Sequence, residues 1–155
     1  MVDEDSMYFN EFTTIEDAAA QILSKHTGDM LYLNGLTSLS DAAAESLSKH
    51  EGHLWLHGLT SLSDAAAESL SKHVEGIDLS GLTNLSDGPG HIALAERLSK
   101  HEGFLYLNGL TSLSDAAAES LSKHEGDLDL HGLTSLADEA AESLSKHKGD
   151  LDLCG

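Results

Sequence analysis

Leu31-Tyr32-Leu33-Asn34-Gly35-Leu36-Thr37-Ser38-Leu39-Ser40-Asp41-Ala42-Ala43-Ala44-Glu45-Ser46-Leu47-Ser48-Lys49-His50-Glu51-Gly52-His53 holds two periodicities in one 23-residue unit. Leu31 and Leu33 alternate with Tyr32 and Asn34, the period of a half-buried strand. Gly35 follows, where the backbone either takes a positive φ or approaches a neighbour closely. Ser38 and Asp41 lie three apart and predict a capping box at a helix start. Leu39, Ala43 and Leu47 recur every four residues as the inward stripe of that helix, with Ala42 and Ala44 small enough to let it lie close to the strand. Lys49 and His50 complement the negative end of the helix dipole, and Gly52 is expected to end the helix as a left-handed cap.

The unit recurs along the chain. Copies begin at Leu54, Ile77, Leu105 and Leu128, and the interval from Ile77 to Leu105 is 28 residues rather than 23. The five extra residues are placed most simply at Gly88-Pro89-Gly90-His91-Ile92, as a bulge between strand and helix. A degenerate copy, Met7 to Asp17, aligns with Leu31 to Asp41, with Met, Phe, Phe and Ile for the four Leu and Glu11 for the Gly. The organisation expected is therefore an acidic disordered tail over 1–6 and an array over 7–155. Its parts are a capping unit 7–30, units 31–53, 54–76, 77–104 (with the insertion 88–92), 105–127 and 128–150, and an incomplete unit 151–155. One unit buries too few Leu to offset the entropy of ordering its residues, so neighbours must cover one another.

Of 155 residues, 40% are hydrophobic but only 5% aromatic, so the core is built from Leu and Ala. Eight Lys plus Arg face 27 Asp plus Glu, a formal charge of −19. A chain this acidic repels phosphate backbones, which argues against nucleic acid and anionic membrane surfaces as partners. The single cysteine, Cys154, excludes an intrachain disulfide framework and a Cys-rich zinc site. No apolar run is long enough to span a bilayer, and the amino terminus lacks the order of a secretion signal. A cytoplasmic location is expected.

The pattern L-x-L-x-G-L-T-x-L-S-D-x-A-A-E-x-L-S-K-H-x-G resembles the leucine-rich repeat family, in a 23-residue bacterial variant. The resemblance covers residues 7–155. It implies an α/β solenoid with a curved parallel β-sheet on the concave side and short α-helices on the convex side. It also implies non-catalytic protein binding by residues that point outward from the strands. The Asn or Cys usual after the strand is here Leu36, Leu59, Leu82, Leu110 and Leu133. The hydroxyls of the following Thr37, Thr60, Thr83, Thr111 and Thr134 are expected to satisfy the turn backbone instead.

Because the scaffold repeats almost verbatim, the differences between copies carry the functional information. The middle outward column reads Tyr8, Tyr32, Trp55, Asp78, Tyr106, Asp129 and Asp152. The next reads Asn10, Asn34, His57, Ser80, Asn108, His131 and Cys154, and a third contains His53, Phe104, Asp127 and Asp150. Seven strands spaced by about 4.8 Å predict a surface about 29 Å long. Tyr8, Tyr32 and Trp55 form a candidate anchor for a partner, since Tyr and Trp are enriched at binding hot spots. The expected partner-binding set is Tyr8, Tyr32, Trp55, Asp78, Tyr106, Asp129, Asn34, His53, His57, Asn108 and His131, and the acidic half suits a basic protein.

No cofactor, metal or catalytic residue is expected. The phosphate-loop, dinucleotide, nucleophile-elbow and zinc-protease patterns are all missing from the sequence. Six histidines, His26, His50, His73, His101, His124 and His147, recur at the helix end as a structural column whose charging near pH 6 should alter stability. Cys154 and His131 share an outward column on adjacent strands, but an open sheet lacks the oxyanion donors of a nucleophilic site. An alternative to partner binding is self-assembly, a homodimer among its forms, through the end formed by Leu151, Leu153 and Cys154.

Overall fold

The computed structural model describes residues 6–154. The expected tail lies outside them except for Ser6, which pairs with Met30. The chain is α/β, with parallel strands and, among the described residues, six helices. Strands β1 (Ser6–Tyr8), β2 (Met30–Tyr32), β3 (His53–Trp55) and β4 (Ile77–Asp78) form one ladder in that order. Helices α1 (Asp17–Leu23), α2 (Asp41–Leu47) and α3 (Asp64–Leu70) follow β1, β2 and β3. The fourth unit adds β5 (Asn84–Leu85) and a longer helix, α4 (Pro89–Leu98). Beyond it come β6 (Leu105–Tyr106), β7 (Ser112–Leu113), α5 (Asp115–Leu121), β8 (Leu128–Asp129), α6 (Asp138–Leu144) and β9 (Leu151–Asp152). Each helix packs on the next, so the units stand side by side in sequence order.

The core lies between strands and helices. Leu31, Leu36, Leu47 and their equivalents Leu59 and Leu70 have no exposed surface. Ala43 and Ala44 are equally buried, and their small side chains let the helices sit against this Leu layer. Four of the five threonine hydroxyls bond the preceding turn as expected, and among the described residues Thr60 does not. Thr37, Thr83, Thr111 and Thr134 each donate Oγ1 to the carbonyl of the equivalent Thr one unit earlier, at 3.0 to 3.3 Å.

Local capping differs from the sequence expectation. Ser40, not Ser38, is the N-cap of α2: its Oγ accepts from the Ala43 N–H at 3.0 Å, and Asp41 is the first helical residue. Ser63 and Ser114 cap α3 and α5 in the same way. Gly52 takes no positive φ. Among the described residues only Gly103 does, at 83°. Gly52 is needed because a Cβ there would lie 2.6 Å from the Asp29 carbonyl oxygen. The same crowding holds at Gly35, where a Cβ would lie 2.1 Å from Asn10 O. Glu11 is tolerated at the corresponding place in the first unit because no described unit packs before it.

The expected single seven-stranded sheet is in fact two ladders. Strands β1 to β4 form one, β6, β8 and β9 the other, and across the gap the units are joined by the short β5–β7 pair, the bond from the Gly109 N–H to Ser80 O and the packing of α4 on α5. Leu31 and Leu54 donate to His53 and Gly76 in the regular ladder, and Leu56 donates to Asp78 at 3.0 Å. Among the described residues, the equivalent bonds from Ile77 to Phe104 and from Leu79 to Tyr106 are missing.

Glu75 stands where other units place Gly52, Gly103, Gly126 and Gly149. Those glycines let successive loops touch: a Cβ at Gly126 would lie 1.9 Å from Gly103 O, and one at Gly149 would lie 2.1 Å from Gly126 O. Each such glycine faces the loop before it, and at Gly103 that contact is missing, since a Cβ there would meet nothing within 4 Å. Arg97 takes the vacated role, donating Nε to the His73 carbonyl at 2.7 Å and Nη2 to those of Val74 and Glu75 at 2.6 and 2.7 Å.

The insertion is not a bulge. It forms the first turn of α4, with Gly88 as N-cap and Pro89 pre-set for the helix. Asp64 reaches over from α3 and accepts from the N–H groups of Gly90 and His91 at 2.8 and 3.2 Å. The buried His91 ring accepts from the Ser86 N–H through Nδ1 and donates through Nε2 to the Leu62 carbonyl. Among the described residues no helix is long and apolar enough to cross a membrane.

Candidate binding surface

Strand pairing sets the outward columns in register. Tyr8 stands opposite Tyr32, Tyr32 opposite Trp55, and Trp55 opposite Asp78. The rings stack accordingly: Tyr8 on Tyr32 at 4.5 Å and 5°, and Tyr32 on Trp55 at 5.5 Å and 21°. These three rings form a continuous platform on the outer face of the first ladder. Tyr106 lies beyond the gap, stacked on Phe104 at 5.6 Å and 12°, and both rings are more than half exposed. Tyr106 stands opposite Asp129, and Asp129 opposite Asp152.

The second column does more structural work than expected. Asn10 Oδ1 accepts from the Asn34 N–H at 3.1 Å, and Asn34 Oδ1 accepts from the His57 N–H at 3.2 Å. Asn34 is therefore tied to the turn backbone on both sides. His57 Nδ1 lies 2.7 Å from Ser80 Oγ, and Asp78 Oδ1 accepts from the Ser80 N–H and hydroxyl. On the acidic half, Asp129 Oδ1 accepts from the backbone and ring Nδ1 of His131. His131 thus orients toward a carboxylate, and the exposed Cys154 contributes its backbone N–H to Asp152.

Donor atoms of Asp129, His131 and Asp152 lie within 4.8 Å of one another. Imidazole and carboxylate together suit a divalent cation. Asp152 is exposed, however, and one oxygen of each carboxylate already receives an N–H. At the far end Leu151 packs half-buried against the core, while Leu153 is 38% exposed.

The feature that sequence reading missed lies between the two halves. Where β4 and β6 part, a cleft of about 400 Å³ opens on the strand face. Trp55, Ile77, Asp78, Leu105 and Tyr106 line it, as do His53, His57, Phe104 and Asn108. Beside the lining residues Ser80 and Asn108, the Gly109 N–H donates to the Ser80 carbonyl at 3.0 Å and links the two sides. The indole N–H of Trp55 is shielded from solvent and, among the described residues, has no partner. The sequence marks this junction by its 28-residue interval between Ile77 and Leu105, against 23 between the other regular copies. Of the expected binding residues, the cleft gathers His53, Trp55, His57, Asp78, Tyr106 and Asn108; Tyr8, Tyr32 and Asn34 stay on the platform, and Asp129 and His131 on the acidic half.

No family model matches the chain, and neither the curated proteins nor the solved structures give a match.

Proposed function

We propose that the chain is a leucine-rich-repeat solenoid that binds a basic protein partner on its concave strand face, without catalysis. The observation that carries this reading is the stacked platform of Tyr8, Tyr32 and Trp55 on the outer side of a sheet. Rigid aromatic side chains lose little entropy on contact and contribute large area, which is why such residues dominate binding energy. The net charge of −19 and the outward Asp78, Asp129 and Asp152 favour a positively charged surface opposite. The strand-and-helix units stacked in sequence order support the solenoid and family assignment.

The test is affinity capture followed by cross-linking, with wild type set against the Tyr32→Ala, Trp55→Ala double variant. A partner retained by wild type and reduced at least about tenfold by the variant, at unchanged circular dichroism, is the expected result. Equal retention by both proteins overturns the reading. End-to-end association is a second reading, favoured by the exposed Leu153 at one end and the exposed Phe12 and Ile22 at the other. Sedimentation of wild type as a strict monomer at high concentration removes it.

A further inference from the structure

The gap between the two ladders is a site in its own right. Ile77 and Leu79 have backbone N–H groups aimed, by the register of the other strands, at a neighbour that is not paired there. The Phe104 and Tyr106 carbonyls lack the donors that this register would supply. Both edges of the cleft therefore present the alternating donors and acceptors of an unpaired strand, which another extended main chain satisfies. The walls add selectivity. Asp78 uses Oδ1 for Ser80 and keeps its second oxygen, and it lines the cleft with Trp55, its partner in register, and with Tyr106 across the gap. A carboxylate flanked by aromatic faces is complementary to a planar guanidinium, which stacks and donates at once. The protein already satisfies the other side of this break in that manner, since Arg97 holds the three carbonyls of residues 73–75.

We infer that the cleft receives an extended segment of the basic partner, its main chain adding to the free edge of β4 and an arginine side chain lying on Asp78 between Trp55 and Tyr106. This rests on the reading of the strand face as a partner-binding surface, and it names the part of the partner that is held. A cleft of about 400 Å³ holds a segment of a few residues, and the bond from Gly109 to Ser80 ties the two sides together beside it.

Backbone-resolved NMR tests it, with two mixed pentapeptide libraries as probes: one with arginine fixed at the centre, the other with glutamate. The arginine library is expected to shift the amides of Ile77, Leu79 and Tyr106 and the indole N–H of Trp55, and to slow exchange at Ile77 and Leu79. Asp78→Asn is expected to weaken this response about fivefold, the loss of one charge-assisted contact. No shift at Ile77 and Leu79, or equal shifts with the glutamate library, overturns the inference. If those amides stay unmoved while partner capture still depends on Tyr32 and Trp55, the inference alone fails. Capture indifferent to those rings removes the underlying reading as well.

Discussion

Gly126 and Gly103 hold the same place in adjacent units and have opposite surroundings. Gly126 lies against the Gly103 carbonyl of the loop before it, and β6 and β8 pair. Gly103 meets no atom of the loop before it, and β4 does not pair with β6. Loop contact and strand pairing thus go together, giving a ladder in one place and a cleft in the other. The comparison teaches that in a stacked repeat the glycines are contacts between units rather than turn formers, since Gly103 alone of the described glycines has a positive φ.

The largest effect that would sharpen this contrast is steric. Gly126→Ala places a Cβ 1.9 Å from the Gly103 carbonyl oxygen, a clash of backbone with backbone. It should cost about 3 kcal/mol or separate the second ladder locally. Gly103→Ala meets open space and should cost about 1 kcal/mol, from its positive φ alone. Chemical denaturation of the two variants measures the difference, and equal losses would break the comparison. Next in size is Arg97→Ala, which leaves three carbonyls of the 73–75 loop without their donor and should cost about 2 kcal/mol. Arg97→Lys should recover only part of this, because one ammonium does not reproduce a planar fork.

The repeat made most of the fold legible before any coordinate was considered. Leu31, Leu33, Leu36 and Leu47 sit in the core, Tyr32 and Trp55 face outward, and Thr83 bonds the preceding turn, all because periodicity encodes direction directly. What stayed hidden depends on contacts between units. Ser40 and Ser38 are both chemically suited to cap a helix, and only the position of the first turn chooses Ser40. Gly88 to Ile92 looked like a bulge by composition, yet the carboxylate of Asp64 on the neighbouring helix supplies the cap that makes it helical. The cleft was hidden for the same reason: whether Gly103 touches the loop before it is a contact between units, not a property of its own stretch of sequence.

The histidine column responds to the same contrast through pH. Burial, foremost, pushes the imidazoles of His50 and His73 below their usual range. Positive neighbours add to it, His73 and His26 around His50 and Arg97 near His73, while carbonyls of Ser24 and Ser48 act the other way. The folded state therefore favours neutral rings, and the unfolded chain takes up protons first. Stability is full above the ordinary imidazole pKa of about 6.5 and is lost as pH falls through and below it. The thermal midpoint should drop between pH 7.5 and 5, and less so in a His50→Asn, His73→Asn variant. A midpoint that is flat over that range in wild type would show that the buried rings of the first ladder do not couple to folding.

The smallest effect concerns a cap that one unit lacks. Ser40 and Ser63 accept from the helix backbone and also donate to Asp17 and Asp41 of the preceding unit, so each hydroxyl joins two helices. In α6 the same place is held by Ala137, which has no side chain to offer. Asp115 of the preceding unit, left without a serine donor, shares a hydrogen bond with Glu139, and this together with the like charge holds the Glu139 carboxyl above its usual range. Ala137→Ser should restore both bonds of the regular unit, raising stability by about 1 kcal/mol. It should also free Asp115 from Glu139, so that the Glu139 titration moves down toward an ordinary carboxylate. Ser114→Ala is the reciprocal change and should cost a similar amount through the lost bond to Ala117. Should Ala137→Ser raise the unfolding midpoint without moving the Glu139 titration, the hydroxyl would be acting on its own helix only, and the serine bridge between units would not extend to the second ladder.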